Sequence, residues 1–253
     1  MKKVVNGKKL PSSMLCISTI VFLAFIAPTT FADNNHSAGG PHVLSINSKP
    51  FGQSYKEWAI DFSRWSYSIP YSINPVFNGA VTNCTLPQYG MVWFVATGSP
   101  NATCEVPNGK AIFVHMGAYV DTYPCPDPNF KPAKGQSLEA FLTADAKAAI
   151  DNYISTLVYP NELYIDGKPV VDNTMLPKLR LSTGLFTFTG DLSLQAVDSC
   201  VTGKQQKAVA DGWFAIIDGL KPGKHKFEFF NSYGGAPNGS MEITIGSNKV
   251  KED

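Results

Sequence analysis

Charge is scarce in this chain of 253 residues: 16% are charged, against about 25% in an average globular domain. No surplus of one sign compensates. The formal net charge is +1, and the first 32 residues carry Lys2, Lys3, Lys8 and Lys9 with no acid. Residues 33–253 therefore hold 17 basic and 20 acidic side chains, a net of −3. That leaves no basic field to hold nucleic acid, and no such partner is expected. Histidine numbers four and no CxxC pair occurs, so the usual metal-ligand spacings are missing. GxSxG, HExxH, Walker and dinucleotide-binding patterns are absent too. Neither a metal nor an organic cofactor is expected. Gly234-Gly235 resembles a phosphate loop only in composition, because no helix start follows it to supply aligned N–H groups.

What is present is apolar and aromatic. Hydrophobic residues make up 44% and aromatic ones 12%, which excludes a chain disordered throughout. The N-terminus reads as an address. A lysine-bearing start is followed by Met14–Ala27 (MLCISTIVFLAFIA), then by Thr30-Phe31-Ala32 with small residues at the −3 and −1 positions of a cleavage site. The apolar run has 14 residues, where about 20 are needed to cross a bilayer. Residues 1–32 are predicted to be a secretory signal peptide. Cys16 lacks the small preceding residue that a lipoprotein site needs. No later stretch approaches a membrane span, so no stable membrane insertion is expected once the leader is gone.

Beyond the leader lie Cys84, Cys104, Cys125 and Cys200. An even count in an exported chain predicts two disulfides, with three pairings open. Cys84–Cys104 with Cys125–Cys200 is favoured, because the first pair flanks one strand–turn unit. In the chain-entropy model these loops contribute about 3 and 4.5 kcal/mol.

Residues 33–50 are polar and read as a flexible lead-in to a single domain, 51–253. Ser54-Tyr55-Lys56-Glu57 fits a capping box. Tyr55, Trp58, Phe62 and Trp65 then recur at helical spacing, and Ile69-Pro70 ends the pattern. Met91–Thr97, Thr103–Val106 and Ala111–Met116 read as strands, the last two around Pro107-Asn108-Gly109-Lys110. Within Ala111–Met116, Ile112, Val114 and Met116 share one face; Phe113 and His115 share the other. Residues 121–136 read as a long loop. A second helix is predicted within Ser137–Tyr159, capped by Thr143. Leu163–Val171 reads as a hairpin around Asp166-Gly167. Strand patterns recur in Lys178–Thr189, Gly212–Ile217, the His225-Phe227-Phe229 alternation and Met241–Ile245. Short strands between turn clusters predict a mainly β fold, an antiparallel β-sandwich of jelly-roll or Ig-like type with two accessory helices.

Several segments together resemble a family of uncharacterised secreted bacterial proteins. They are Gly52-Gln53-Ser54-Tyr55-x-Glu57-Trp58 with Trp65 and Ser68-Ile69-Pro70, then Asn74-Pro75 and Val92-Trp93-Phe94. Cys104-x-Val106-Pro107-x-Gly109-Lys110-Ala111-Ile112-Phe113 and Asp211-Gly212-Trp213 with Gly219-Leu220-x-Pro222-Gly223-x-His225 complete the set. The resemblance implies export and a β-rich fold, and no particular reaction. It also implies that proline is usual where His115 stands, so that His115 is no shared catalytic group.

The chemical candidates are few. His115, Asp121 and His225 are the ingredients for an acid–base or metal site, provided that strand pairing unites them. Glu57 and Asp61 lie at i, i+4, but Lys56 and Arg64 beside them favour plain surface pairing. Trp58, Trp65, Trp93 and Trp213 are either a platform for sugars or core residues. The expectation is an exported, disulfide-bonded binding protein that recognises a glycan or a protein surface without catalysis. The alternative is a secreted hydrolase built on His115, Asp121 and His225, with or without a metal. Periplasmic and extracellular destinations stay open.

Overall fold

Ser54 opens the first helix as its sequence predicts. In the computed structural model, which describes residues 39–83, 86, 88–97, 102–156, 162–230 and 239–246, helix α1 covers Tyr55–Ser68. The Glu57 N–H donates to Ser54 Oγ at 3.3 Å, and the Ser54 N–H donates to the Glu57 carboxylate at 2.6 Å. These bonds hold the Glu57 carboxyl below its usual range and satisfy amides left free at a helix start. The helix stops at Ile69, which is extended ahead of Pro70. Asn74, fully buried, donates to the carbonyls of Ser66 and Ile69 and accepts from the N–H groups of Val76 and Phe77. It thereby pairs backbone groups that the helix end orphans. The predicted leader at 1–32, Cys84 and Gly234-Gly235 lie outside the described residues.

Two sheets carry the rest. The first contains β1 (His42–Val43), β2 (Val92–Val95), β4 (Ala111–Tyr123), β7 (Arg180–Ser182), β8 (Phe186–Thr189) and β9 (Gln205–Asp218). The second runs in the order β3 (Ala102–Val106), β11 (Gly239–Ile245), β10 (Gly223–Phe230), β5 (Glu162–Ile165), β6 (Lys168–Val171). In the first sheet β4 and β9 form the centre. β2 flanks β4, while β1, β7 and β8 share the other side of β9.

The fold is mainly β with two helices. The sheets are mixed: each adds one parallel pair to the antiparallel pairing that the sequence predicts. β2 runs parallel to β4, and β3 runs parallel to β11. The cause lies at Pro107–Lys110. This segment does not close a hairpin; it carries the chain from the second sheet into the first, so two sequence-adjacent strands acquire different partners. The hairpin at Asp166-Gly167 forms as its composition predicts, with φ of 53° and 74° at the two turn residues.

Helix α2 spans Leu138–Thr156. It starts earlier than the predicted cap at Thr143: Ser137 Oγ accepts from the Ala140 N–H instead. Leu142, Ala146 and Ile150 form its buried stripe. The polar lead-in expected at 33–50 is tied down from His42 on. β1 pairs with β9, the Leu44 N–H donates to the Ile216 carbonyl, and Tyr55 donates from its hydroxyl to the Leu44 carbonyl.

The layers follow from strand alternation. Ile112, Val114, Ala215 and Ile217 of the first sheet meet Leu163, Ile165, Phe227 and Ile243 of the second. On the opposite face, Phe113, Phe214 and Ile216 meet Tyr55, Ala59 and Phe62 of α1. Beyond the reach of the second sheet, α2 covers the first one: Leu142 and Ala146 pack on Val209. Arg180 locks this helix in place. Its guanidinium donates to Asp211 and to Asp151 of α2, and lies 5.6 Å from the Trp213 ring centre.

Candidate functional site

The described residues place the chemistry at the far half of β4. From Ile112 to His115 this strand opposes β9 in regular register, and from Ala118 to Tyr123 it does so again, shifted by one residue. Met116 and Gly117 together face Trp213, which is a β-bulge. Gly117 has φ 121°, a conformation that side chains avoid. Gly212 across from it has no room for a side chain: a Cβ there would stand 2.5 Å from the Ala118 Cα and from the Gly117 carbonyl oxygen.

The bulge reverses the parity of the strand. Before it, even-numbered residues face the second sheet. After it, odd-numbered residues lie on that same side, where α2 takes over. His115 and Asp121 share a face by simple alternation, yet the structure separates them. His115 stays under α1, its ring centre 5.1 Å from that of Phe62 and its Nε2 3.3 Å from Thr97 Oγ1. Asp121 opposes Val209 and points toward α2.

There the Asp121 carboxyl meets that of Asp145. It is 4% exposed, and its Oδ2 receives no hydrogen bond from the protein. Burial, first of all, and then the charge and shared hydrogen bond of Asp145, with a further contribution from Asp198, push its pKa up to about 8. Asp121 therefore keeps its proton at neutral pH. Next to Asp121, Thr122 is 3% exposed and its hydroxyl also lacks a partner.

Both residues line a cleft of about 450 Å³. Tyr67 donates from its hydroxyl to Asp198 Oδ2 at 3.2 Å along one wall. Burial, with the Asp198 charge and hydrogen bond, raises the Tyr67 pKa well above 10. Tyr119, 45% exposed at the rim, is raised by burial and by Asp121, Asp145 and Asp198. Phe77 and Phe130 supply apolar wall. The Cys125–Cys200 disulfide, 75 residues apart in sequence, lies in the lining and fixes the loops on either side. The charged lining residues are Asp121, Asp127, Asp145 and Asp198, with no lysine, arginine or histidine among the described ones.

His225 belongs to the other sheet. Its Nδ1 lies 2.7 Å from Asp166 Oδ2 in the β5–β6 turn and its Nε2 2.8 Å from the Lys221 carbonyl in the β9–β10 connection, so both ring nitrogens are engaged in fixing turns. Of His115, Asp121 and His225, only Asp121 reaches the cleft. Among the described residues no group of three histidine, cysteine or acidic side chains is placed to hold a metal.

The tryptophans are also dispersed. Trp58 and Trp65 lie on the inner side of α1, packed on Phe94. Trp213 is in the core between the sheets. Trp93 lines a separate cavity of about 400 Å³ with Glu105 and Thr244. Glu57 serves the capping box, and Asp61 pairs with Arg64 at 3.2 Å. Cys104 is disulfide-bonded. No helix among the described residues is long and apolar enough to cross a membrane.

Sequence reasoning missed Asp145, Asp198, Tyr67 and Tyr119. The signal available was Asp145 beside Ala146 at the border of the α2 stripe, hidden by starting that helix six residues late. Asp198 carried a fainter one, two residues before a disulfide cysteine. No protein-family model, curated protein or solved structure matches the chain.

Proposed function

We propose that this is an exported binding protein whose ligand seat is the acidic cleft beside β4. One observation carries the reading: a carboxyl group, Asp121, is buried at the wall of an open cleft with an oxygen that no protein donor satisfies. Leaving a buried acceptor unmade costs about 1–3 kcal/mol, and a ligand that donates to it recovers that cost. The acidic lining excludes phosphates and other anions. It suits hydroxyl groups or a cation, and the aromatic walls suit their carbon skeleton. Export is supported by the leader-like N-terminus, by the disulfide, and by the resemblance to secreted bacterial proteins.

Asp121 as the proton donor of a hydrolase is the second reading, favoured by the proton it holds at neutral pH. Glycoside hydrolysis, however, wants two carboxyls about 5–9.5 Å apart, with the bond to be cut between them. Asp121 and Asp145 are in hydrogen-bond contact, so binding is the stronger reading. Calorimetric titration of neutral oligosaccharides and short peptides tests it. The expected result is at least one ligand that is bound but not turned over, and lost on Asp145→Lys. Binding undiminished by that substitution moves the seat elsewhere.

A further inference from the structure

The cleft has a strand edge for a floor. β2 pairs with β4 only from Ala111 to Val114, so the half after the bulge has no strand on that flank among the described residues. The direction of its backbone groups follows from β9. The Leu44 N–H donates to the Ile216 carbonyl and the Thr183 N–H to the Ala210 carbonyl, both on the far side of β9. Even-numbered residues of β9 thus face away from β4, and odd-numbered ones face it. Their partners Tyr119, Asp121 and Tyr123 spend their backbone groups on β9. Ala118, Val120 and Thr122 turn theirs to the cleft. A strand edge that offers free N–H and C=O groups is a template for an added strand.

We infer that the cleft takes an extended peptide segment, added as a strand along Ala118–Thr122, with a lysine or arginine opposite Asp121. This rests on the cleft being the ligand seat. Cross-strand neighbours share a face, so a residue opposite Asp121 projects toward α2, between Asp121 and Asp145. A cation there displaces the Asp121 proton and meets both carboxyls. Residues opposite Val120 and Thr122 project to the other face, against Phe77 and Tyr67. The pattern selected is apolar–basic–apolar. Charge complementarity favours it: among the described residues, four aspartates and no basic group line the cleft.

The test uses Ac-Thr-Val-Lys-Val-Thr-amide, the same peptide with norleucine for lysine, and a neutral N-acetylglucosamine tetramer, each titrated into the ¹⁵N-labelled protein. The lysine peptide is expected to bind, to slow amide exchange at Ala118, Val120 and Thr122, and to bind at least about tenfold better than the norleucine peptide. Asp145→Lys, on an exposed helix position, should weaken it by a similar factor. Val120→Pro removes an outward N–H without touching the β9 ladder, and should abolish peptide binding. Saccharide binding in the cleft without peptide binding overturns the strand addition and leaves the ligand seat standing. Equal binding of the norleucine peptide, or lysine-peptide binding indifferent to Val120→Pro, also overturns it. Failure of all three ligands to bind removes both readings.

Discussion

β4 is two strands in one, divided by its bulge. Ala111–His115 is covered on both faces and flanked by strands on both edges. Its side chains meet Phe62, Phe94 and Phe214 on one side and the second sheet on the other. Ala118–Tyr123 keeps β9 on one edge and has no strand on the other among the described residues, with an acid facing α2. The first half is built for stability. The second holds a buried carboxyl whose oxygen the protein leaves unsatisfied, an arrangement that costs folding free energy and suits a ligand. One inserted residue separates them.

The comparison breaks most readily in the first half. Phe113 is fully buried, and its ring lies 5.2 Å from that of Phe62. Phe113→Ala should cost about 3–5 kcal/mol in chemical denaturation, with little dependence on pH. A loss below about 1 kcal/mol contradicts the packing described. Gly212→Ala attacks the divide itself. With backbone atoms 2.5 Å from the new Cβ, the bulge must shift, at about 3 kcal/mol, which lowers Tm by roughly 6–12 °C for a domain of this size. An unchanged Tm means that the bulge is not pinned there.

Asp121→Asn should act in the opposite direction. The folded pKa of Asp121 lies above its unfolded value, so its contribution is fully present in acid and is lost as pH rises from about 4 through about 8. The variant escapes that loss. Relative to the wild type its Tm should match near pH 4 and exceed it by about 3 °C at pH 8. A difference that stays constant across that range denies the strained carboxyl. His115 gives the smallest effect. Burial pushes its imidazole down to about 4, so the wild type loses stability as pH falls from about 6.5 toward 4. His115→Leu should flatten that slope, read from Tm at four pH values, without altering ligand binding in the cleft.

Much of the first half of the strand was legible. Alternation placed Ile112 and Val114 opposite Phe113, and the capping box at Ser54 and Glu57 located α1 to the residue, because both signals are local. The candidate site was legible only in Asp121. Residues 121–136 read as a loop, and nothing in Met116-Gly117 announced that the strand runs on through a bulge to Tyr123 and turns Asp121 away from His115. Asp145 and Asp198 were invisible as partners, since they lie on a helix and a loop far apart in sequence. The parallel pairs were hidden too, because adjacency in sequence favours a hairpin reading at Pro107–Lys110.

By itself, then, the sequence determined a mainly β chain with two helices and a disulfide-forming cysteine set, because periodicity, capping and cysteine number act over a few residues or none. The tertiary structure alone decided which carboxyls meet and which strand edge has no partner strand among the described residues. Those outcomes depend on register across β4 and β9, on where β2 ends, and on where α2 lands, and each is settled by packing between segments dozens of residues apart.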